Sequence, residues 1–159
     1  MSKTILNIIQ AIGYSLILTM LVACSSLPWP IFPTKVNAKI LASFEINPDA
    51  EGRPSPLVVR MYELKANNSF EQADFFKLYD EEAATLGGDL LTREEIEISP
   101  GEGREVEHKA HEDAHFFGVI AAFRNLQQSH WRAITPLKLN SKNNLIINIG
   151  KQTVTITQQ

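Results

Sequence analysis

The sequence predicts a mainly β domain, a β-sandwich of about eight short strands with one α-helix added between the second and third strands. Three observations lead to this fold class. Short apolar or alternating stretches recur along most of the chain, separated by residues typical of turns. Only one stretch, after the second strand, has the 3.6-residue apolar periodicity of a helix. The 136 residues that follow residue 23 are enough for one domain with a hydrophobic core.

The first 23 residues have the pattern of a lipoprotein signal peptide. Lys3 supplies a positive charge near the N-terminus, and residues 11–23 form an apolar run of thirteen residues. This run is shorter than the roughly 20 residues that a spanning helix needs. A buried core helix and an ordinary cleaved signal peptide are the alternatives. The run ends in a lipobox, where small side chains precede a cysteine that becomes the lipidated N-terminus: Leu21, Val22, Ala23 and Cys24.

Residues 24–37 are predicted to be a lipid-anchored tether, and residues 38–159 the β-sandwich domain. Three prolines in the tether block regular structure. Several acyl chains on Cys24 give stable anchoring, because each buried methylene contributes about 0.8 kcal/mol. Residue 25 is Ser rather than the Asp that retains lipoproteins in the inner membrane of Gram-negative bacteria. Ser25 therefore favours the outer membrane.

The first two strands are predicted at residues 38–46 and 57–64. In the first, Ala42, Phe44 and Ile46 alternate with polar residues, as in a half-buried strand. The two strands would form a hairpin whose connection is longer than chain reversal needs. This connection is rich in proline and charge, and we expect it to bind a partner: Asn47, Pro48, Asp49, Ala50, Glu51, Gly52, Arg53, Pro54, Ser55 and Pro56.

A single helix is predicted to begin at Ser69, with Gln72 at the spacing of a capping box, and to end before Gly87. Its apolar face would carry Phe75, Tyr79, Ala83 and Leu86. The remaining strands are predicted at residues 90–98, 104–110, 116–123, 131–134, 145–149 and 153–157.

Composition limits the partners of the chain. Residues 1–23 carry only Lys3, so their removal changes the net charge from −3 to −4, which argues against nucleic acid. Cys24 is the only cysteine, and once it is acylated no thiol is left for a disulfide. No cofactor is predicted beyond the covalent lipid on Cys24.

One motif favours a different function. Residues 111–115 match H-E-x-x-H, which on a helix would place His111 and His115 on one zinc ion with Glu112 activating water. The segment leads directly into a β-rich stretch, however, and reads better as a turn in which the imidazoles need not converge. With His108 nearby, adventitious metal binding is the further alternative. We therefore predict no metal site and no catalytic residues.

Taken in order, the segments behind the lipobox resemble the TssJ family of type VI secretion lipoproteins, also called SciN. No single segment is specific, but the ordered set is, and it covers nearly all of the mature chain. It consists of residues 57–64 (LVVRMYEL), Phe70, residues 73–76 (ADFF), 78–79 (LY), 86–87 (LG), 89–91 (DLL), 99–102 (SPGE), 118–125 (GVIAAFRN) and 131–132 (WR).

The resemblance implies a transthyretin-like β-sandwich with a helical addition, anchored in the outer membrane and without catalytic activity. It implies that the chain holds the periplasmic C-terminal region of the inner-membrane protein TssM. It also implies that the connection between the first two strands, residues 47–56, makes this contact. A zinc-dependent hydrolase and a transthyretin-like carrier of a small ligand remain the competing hypotheses.

Overall fold

The computed structural model describes residues 32–159, so the predicted lipobox residues Leu21 to Cys24 and Ser25 lie outside the described residues. Residues 32–159 form a compact unit with eight strands. We number the strands β1 (Lys35–Ala42), β2 (Leu57–Leu64), β3 (Leu90–Ile98), β4 (Gly103–Lys109), β5 (Phe116–Ala121), β6 (Arg132–Pro136), β7 (Lys142–Ile149) and β8 (Val154–Gln158).

The strands form two four-stranded sheets, which confirms the predicted β-sandwich. The first sheet has the order β4-β1-β7-β8, in which β1 is parallel to β7 and antiparallel to β4. The second sheet, β3-β2-β5-β6, is antiparallel throughout. Because β1 and β2 belong to different sheets, the predicted hairpin between them is wrong.

The first strand also lies earlier in the chain than predicted. β1 covers Lys35–Ala42, so residues 35–37 belong to the strand rather than to the tether. Its register with β7 runs from Lys35 opposite Lys142 to Ala42 opposite Ile149. Alternating residues of β1 (Val36, Ala38 and Ile40) are fully or almost fully buried between the sheets, opposite Val59 and Met61 of β2 and their neighbours. The core therefore follows the period of two that a half-buried strand shows.

Between β2 and β3 the chain forms three short helices rather than the single predicted helix: α1 (Asn68–Gln72), α2 (Phe75–Asp80) and α3 (Glu82–Leu86). The helix start at Ser69 is also wrong, since α1 begins at Asn68 without a side-chain cap. Asp74 interrupts the helix because it is extended and its carboxylate accepts a hydrogen bond from the Lys77 N–H, at 3.0 Å.

These helices, with the 3₁₀ turn Gly87–Asp89, cover the outer face of the second sheet. They build a second hydrophobic cluster in which Phe70, Phe75, Leu78 and Leu86 pack with residues of β2 and β5. Ala83, predicted on the buried face, is exposed, while Phe70 and Leu78 are completely buried.

The strand pairings define the two ends of the sandwich. At the end where β1 begins, which we call the N-terminal end, the chain meets the β4–β5 connection through the Ala110 N–H and the Thr34 carbonyl, 2.9 Å apart. At the opposite end, the loop end, the β1–β2 connection (residues 43–56) meets the β3–β4 turn and the β7–β8 turn. None of the helices in residues 32–159 has the length and hydropathy to cross a bilayer.

Candidate functional site

The β1–β2 connection is closed at its base by Asn47. Its side-chain amide donates to the Pro56 carbonyl at 2.9 Å, and its Oδ1 accepts from the Arg124 N–H at 2.8 Å. Its own N–H donates to the Lys151 carbonyl at 3.0 Å. Asn47 is buried and has a φ of 49°, a left-handed conformation that Asn tolerates better than most residues. Asn47 thus ties the base to the β5–β6 connection and to the β7–β8 turn.

The tip of the connection is organised by Asp49. Its Oδ1 accepts hydrogen bonds from the N–H groups of Glu51 and Arg53, at 3.0 and 2.9 Å. Its N–H donates to the Arg53 carbonyl and its carbonyl accepts from the Gly52 N–H. Gly52 has a φ of 79°, which a residue with a side chain rarely adopts. The tip is therefore a closed turn whose polar groups bond to one another.

The charges of the tip remain at the surface. The Arg53 guanidinium contacts the Asp49 carboxylate at 2.8 Å and the Glu51 carboxylate at 3.0 Å, yet its side chain is 74% exposed. The hydrogen bond from the Arg53 N–H lowers the pKa of Asp49 below its ordinary value, and the guanidinium lowers it further. Three prolines further restrict the backbone. The structure thus brings the ten predicted loop residues together as one ordered, largely exposed segment.

Phe44 lies in the same connection, before the predicted loop residues. Sequence analysis placed it on the buried side of a strand together with Ala42 and Ile46. That placement is wrong, because β1 ends at Ala42 and the Phe44 side chain is 79% exposed, whereas Ile46 is completely buried. The alternation of residues 42, 44 and 46 could not reveal where the strand stops.

The segment 111–115 lies in the β4–β5 connection and is not helical, in agreement with the turn interpretation. His111 and His115 are both exposed, and the His111 Nδ1 accepts a hydrogen bond from the Asp113 N–H at 3.2 Å. Within residues 32–159, His, Cys, Asp and Glu side chains form no group of three or more that is arranged for a metal ion.

Glu63 is a buried charged residue that the sequence analysis did not single out. It is 2% exposed and its carboxylate is held by His108 Nε2 at 2.6 Å and by the His111 N–H at 2.9 Å. The signal was available in β2, where Val59, Met61 and Glu63 alternate toward the core, so that a carboxylate occupies an inward position. His108 thus has a structural partner 45 residues away in the chain.

A cleft of about 350 Å³ opens beside this pair, between β3 and β4 at the N-terminal end. Its volume lies at the lower limit of small-ligand sites, which span roughly 300–1,000 Å³. Glu63 of β2 and His108 of β4 already bond to each other at the cleft, and this bond joins the two sheets. The residues that line it from inside the sandwich include Ala38, Met61, Glu63, Val106, His108 and Phe117.

The sequence matches a protein-family model over most of the described chain. The model, T6SS-SciN, is described as "Type VI secretion lipoprotein, VasD, EvfM, TssJ, VC_A0113" and matches residues 34–152. Among the curated proteins, none matches the chain.

Solved structures of three proteins are similar over nearly their whole length. The type VI secretion lipoprotein TssJ1 from Pseudomonas aeruginosa is 36% identical with a TM-score of 0.78, and the similarity covers 80% of this chain and 97% of TssJ1. Lip from Serratia marcescens, described as a membrane-bound component of the type VI secretion system, is 26% identical (TM-score 0.73; coverage 80% and 98%). A chain in a structure described as the TssM C-terminal domain from EAEC is 28% identical (TM-score 0.65; coverage 77% and 97%).

Proposed function

The chain belongs to the T6SS-SciN family of type VI secretion lipoproteins, and from this premise we propose that it is an outer-membrane protein that holds TssM. Lipid on Cys24 anchors it, with Leu21, Val22 and Ala23 as the recognition sequence of the signal peptidase and Ser25 as the sorting residue. The contact to the periplasmic C-terminal region of TssM is made by residues 47–56. Its role in the secretion apparatus is structural, without catalysis or a cofactor.

The observation that carries this proposal is the construction of residues 47–56. Their tip is exposed, yet it is fixed by the Asp49 carboxylate, by the Asn47 side chain at the base and by prolines. A segment that is ordered before binding loses little conformational freedom when a partner docks, which favours affinity. The charges of Glu51 and Arg53 supply orientation and speed of association rather than most of the binding energy.

The position of the loop supports the same function. β1 enters the sandwich at the N-terminal end, and residues 43–56 lie at the opposite end of an eight-residue strand. Eight residues in a strand span about 25 Å. A domain attached to a membrane through its N-terminus can thus present the loop to a partner that approaches across the periplasm.

The comparisons support the choice of partner. Lip is described as a membrane-bound component of the secretion system, and one similar chain occurs in a structure described as the TssM C-terminal domain. The family description names a secretion lipoprotein and no reaction, which favours a structural role.

Titration calorimetry tests the partner. The full-length lipoprotein in detergent is titrated with the periplasmic C-terminal region of TssM from the same genome. Saturable one-to-one binding is expected, and deletion of residues 52–55 should weaken it strongly while the unfolding temperature stays nearly unchanged. No binding by the folded wild-type protein would refute the proposal.

A pair of double variants isolates the charges of the loop. Replacing both Glu51 and Arg53 by Ala should slow association, because rim charges act mainly on the on-rate. The matched control replaces Glu107 and Lys142, an exposed ion pair 3.7 Å apart on the first sheet, and should leave the rate unchanged. Because each double variant removes one acid and one base, neither changes the net charge, and equal effects would show that the charges of this loop have no specific role.

Membrane fractionation tests the anchor. Cys24→Ser removes the thiol that carries the lipid, so the folded protein should leave the outer-membrane fraction and secretion should be lost. Normal outer-membrane recovery of this variant would contradict the proposed anchor.

A further inference from the structure

The largest exposed apolar residue of the loop end is Phe44, which is 79% exposed. Single exposed apolar residues are common on protein surfaces, so exposure alone decides nothing. Phe44 differs in two ways: its ring packs on the β3–β4 turn, and hydrogen bonds fix the backbone of the residues on both sides of it.

The seat of the ring is Gly101 in the β3–β4 turn. A Cβ placed on Gly101 would overlap the ring, with Cδ1 of Phe44 at only 2.7 Å, so the ring lies directly over bare backbone. Gly101 also has a φ of 76°, which favours glycine at this position. The turn itself is closed by Glu102, whose carboxylate accepts from the Ser99 N–H at 2.9 Å. The aromatic ring thus rests on a rigid surface.

The backbone around Phe44 is held equally firmly. The Ser43 N–H donates to the Ile149 carbonyl at 2.8 Å, and the Ser43 carbonyl accepts from the Gly101 N–H at 3.1 Å. After Phe44, the Glu45 N–H donates to the Ser43 Oγ at 3.2 Å, and Ile46 is completely buried in the core. The residues on both sides of Phe44 are therefore fixed, and the ring is presented from an ordered segment.

A second apolar side chain and an ion pair lie near Phe44 at the loop end. Leu41, 37% exposed, lies beside Gly103 on the neighbouring strand and adds apolar surface. The ion pair of Glu102 and Arg104, 2.6 Å apart, lies in the same β3–β4 region. Residues 47–56 follow in the same connection as Phe44, so the aromatic side chain is continuous with the proposed contact.

We propose that Phe44 is the apolar anchor of the TssM contact, inserting its ring into a concave apolar site on the periplasmic region of TssM. This inference rests on the proposed function and specifies how the contact is made. Most of the affinity of an interface comes from a few buried anchors, often aromatic, within a ring of polar contacts that exclude water. Phe44 supplies the anchor, and the charged loop tip supplies part of that ring. Because the ring is already seated, its ordering costs little upon binding.

The experiment compares four full-length variants in detergent, titrated with the periplasmic region of TssM. Phe44→Ala should weaken binding by about 30-fold or more, the loss typical of an anchor residue. The matched control is Phe76→Ala, which removes an aromatic side chain that is 62% exposed on α2 and should leave affinity unchanged. Phe44→Leu should retain part of the affinity. Gly101→Ala should weaken binding although Phe44 is present, because its Cβ displaces the ring.

The outcomes separate this inference from the function on which it rests. Wild-type binding that the 52–55 deletion weakens but Phe44→Ala leaves unchanged would overturn the anchor and keep the partner. Equal losses in Phe44→Ala and Phe76→Ala would overturn it as well, since the effect would then be nonspecific. Absence of wild-type binding would overturn both proposals together. Circular dichroism and thermal unfolding of each variant establish that the measured losses do not come from misfolding.

Discussion

Two connections between strands, the one after β1 and the one after β2, are stabilised in different ways. The helices α1 to α3 between β2 and β3 fold back onto the second sheet and bury their apolar side chains, with Phe70 and Leu78 completely inaccessible. Residues 43–56 between β1 and β2 remain at the loop end and bond mainly to themselves and to neighbouring turns. The helices are stabilised by the removal of apolar surface from water, whereas the loop is stabilised by the pairing of backbone polar groups.

Arginine residues show the same contrast. The Arg132 side chain donates to the carbonyls of Phe70 and Ala73, at 2.6 and 2.8 Å, and so ties the end of α1 to β6. Arg60 lies over the Tyr79 ring at 3.9 Å and pairs with Glu95 at 2.6 Å. Arg53, in contrast, pairs only within its own loop and stays exposed. The helices therefore belong to the stable body of the protein, and the loop presents charge to a partner.

The largest expected effect on stability comes from shortening a completely buried side chain of the helices. Phe70→Ala leaves a cavity beneath α1, and the free energy of unfolding should fall by about 3–5 kcal/mol in chemical denaturation. Phe76→Ala removes an exposed aromatic side chain of α2 and should change the free energy of unfolding by less than about 0.5 kcal/mol. If the helices were only loosely attached, the two substitutions would cost the same.

A smaller effect is expected at the base of the loop. Asn47→Ala removes two side-chain hydrogen bonds and forces Ala into a left-handed conformation, so the free energy of unfolding should fall by about 2 kcal/mol. Asn47→Gly loses the same hydrogen bonds without backbone strain and should lie about 1 kcal/mol closer to the wild type. Identical stabilities of the two variants would show that the positive φ carries no cost here.

The smallest effect on stability is expected at the tip. Asp49→Asn should leave the unfolding midpoint unchanged, because the tip contributes little to the core. The pKa of Asp49 is lowered in the folded protein, so the order that its carboxylate imposes is present above the ordinary Asp range and is lost as pH falls through the lowered pKa. The amide chemical shift of Arg53, whose N–H donates to Asp49, should follow this titration in the wild type and not in the variant. The same titration of this amide in Asp49→Asn would exclude the Asp49 carboxylate as the cause.

Local sequence patterns correctly predicted the strands whose burial follows from their own residues. The strands at residues 57–64 and 90–98 agree with β2 and β3, and the apolar stretch from Phe116 agrees with β5, because alternation or continuous burial is encoded in each segment. The ordered loop 47–56 was also predicted, since its prolines and charges exclude a strand. The capping-box prediction at Ser69 failed because α1 begins at Asn68 and the Ser69 hydroxyl donates to the Asp89 carboxylate, at 3.4 Å, instead of capping the helix.

The sequence did not predict the features that depend on a contact with a residue far away in the chain. The alternation of Ala42, Phe44 and Ile46 resembles a strand, but pairing with β7 ends at Ala42, and Gly101 accepts the Phe44 ring at the surface. The sequence likewise could not reveal that His108 Nε2 lies 2.6 Å from the carboxylate of Glu63 on β2.

The sequence by itself determined the sandwich class, the family resemblance and the identity of the loop that we assign to the partner. Periodicity, turn residues and the order of segments are properties of contiguous residues, and they persist whatever the chain packs against. Only the tertiary structure decided that β1 pairs in parallel with β7 and that the helix divides into three. It also decided that Phe44 is presented rather than buried. Each of these depends on contacts between residues far apart in the chain, whose burial and hydrogen bonding outweigh local preference.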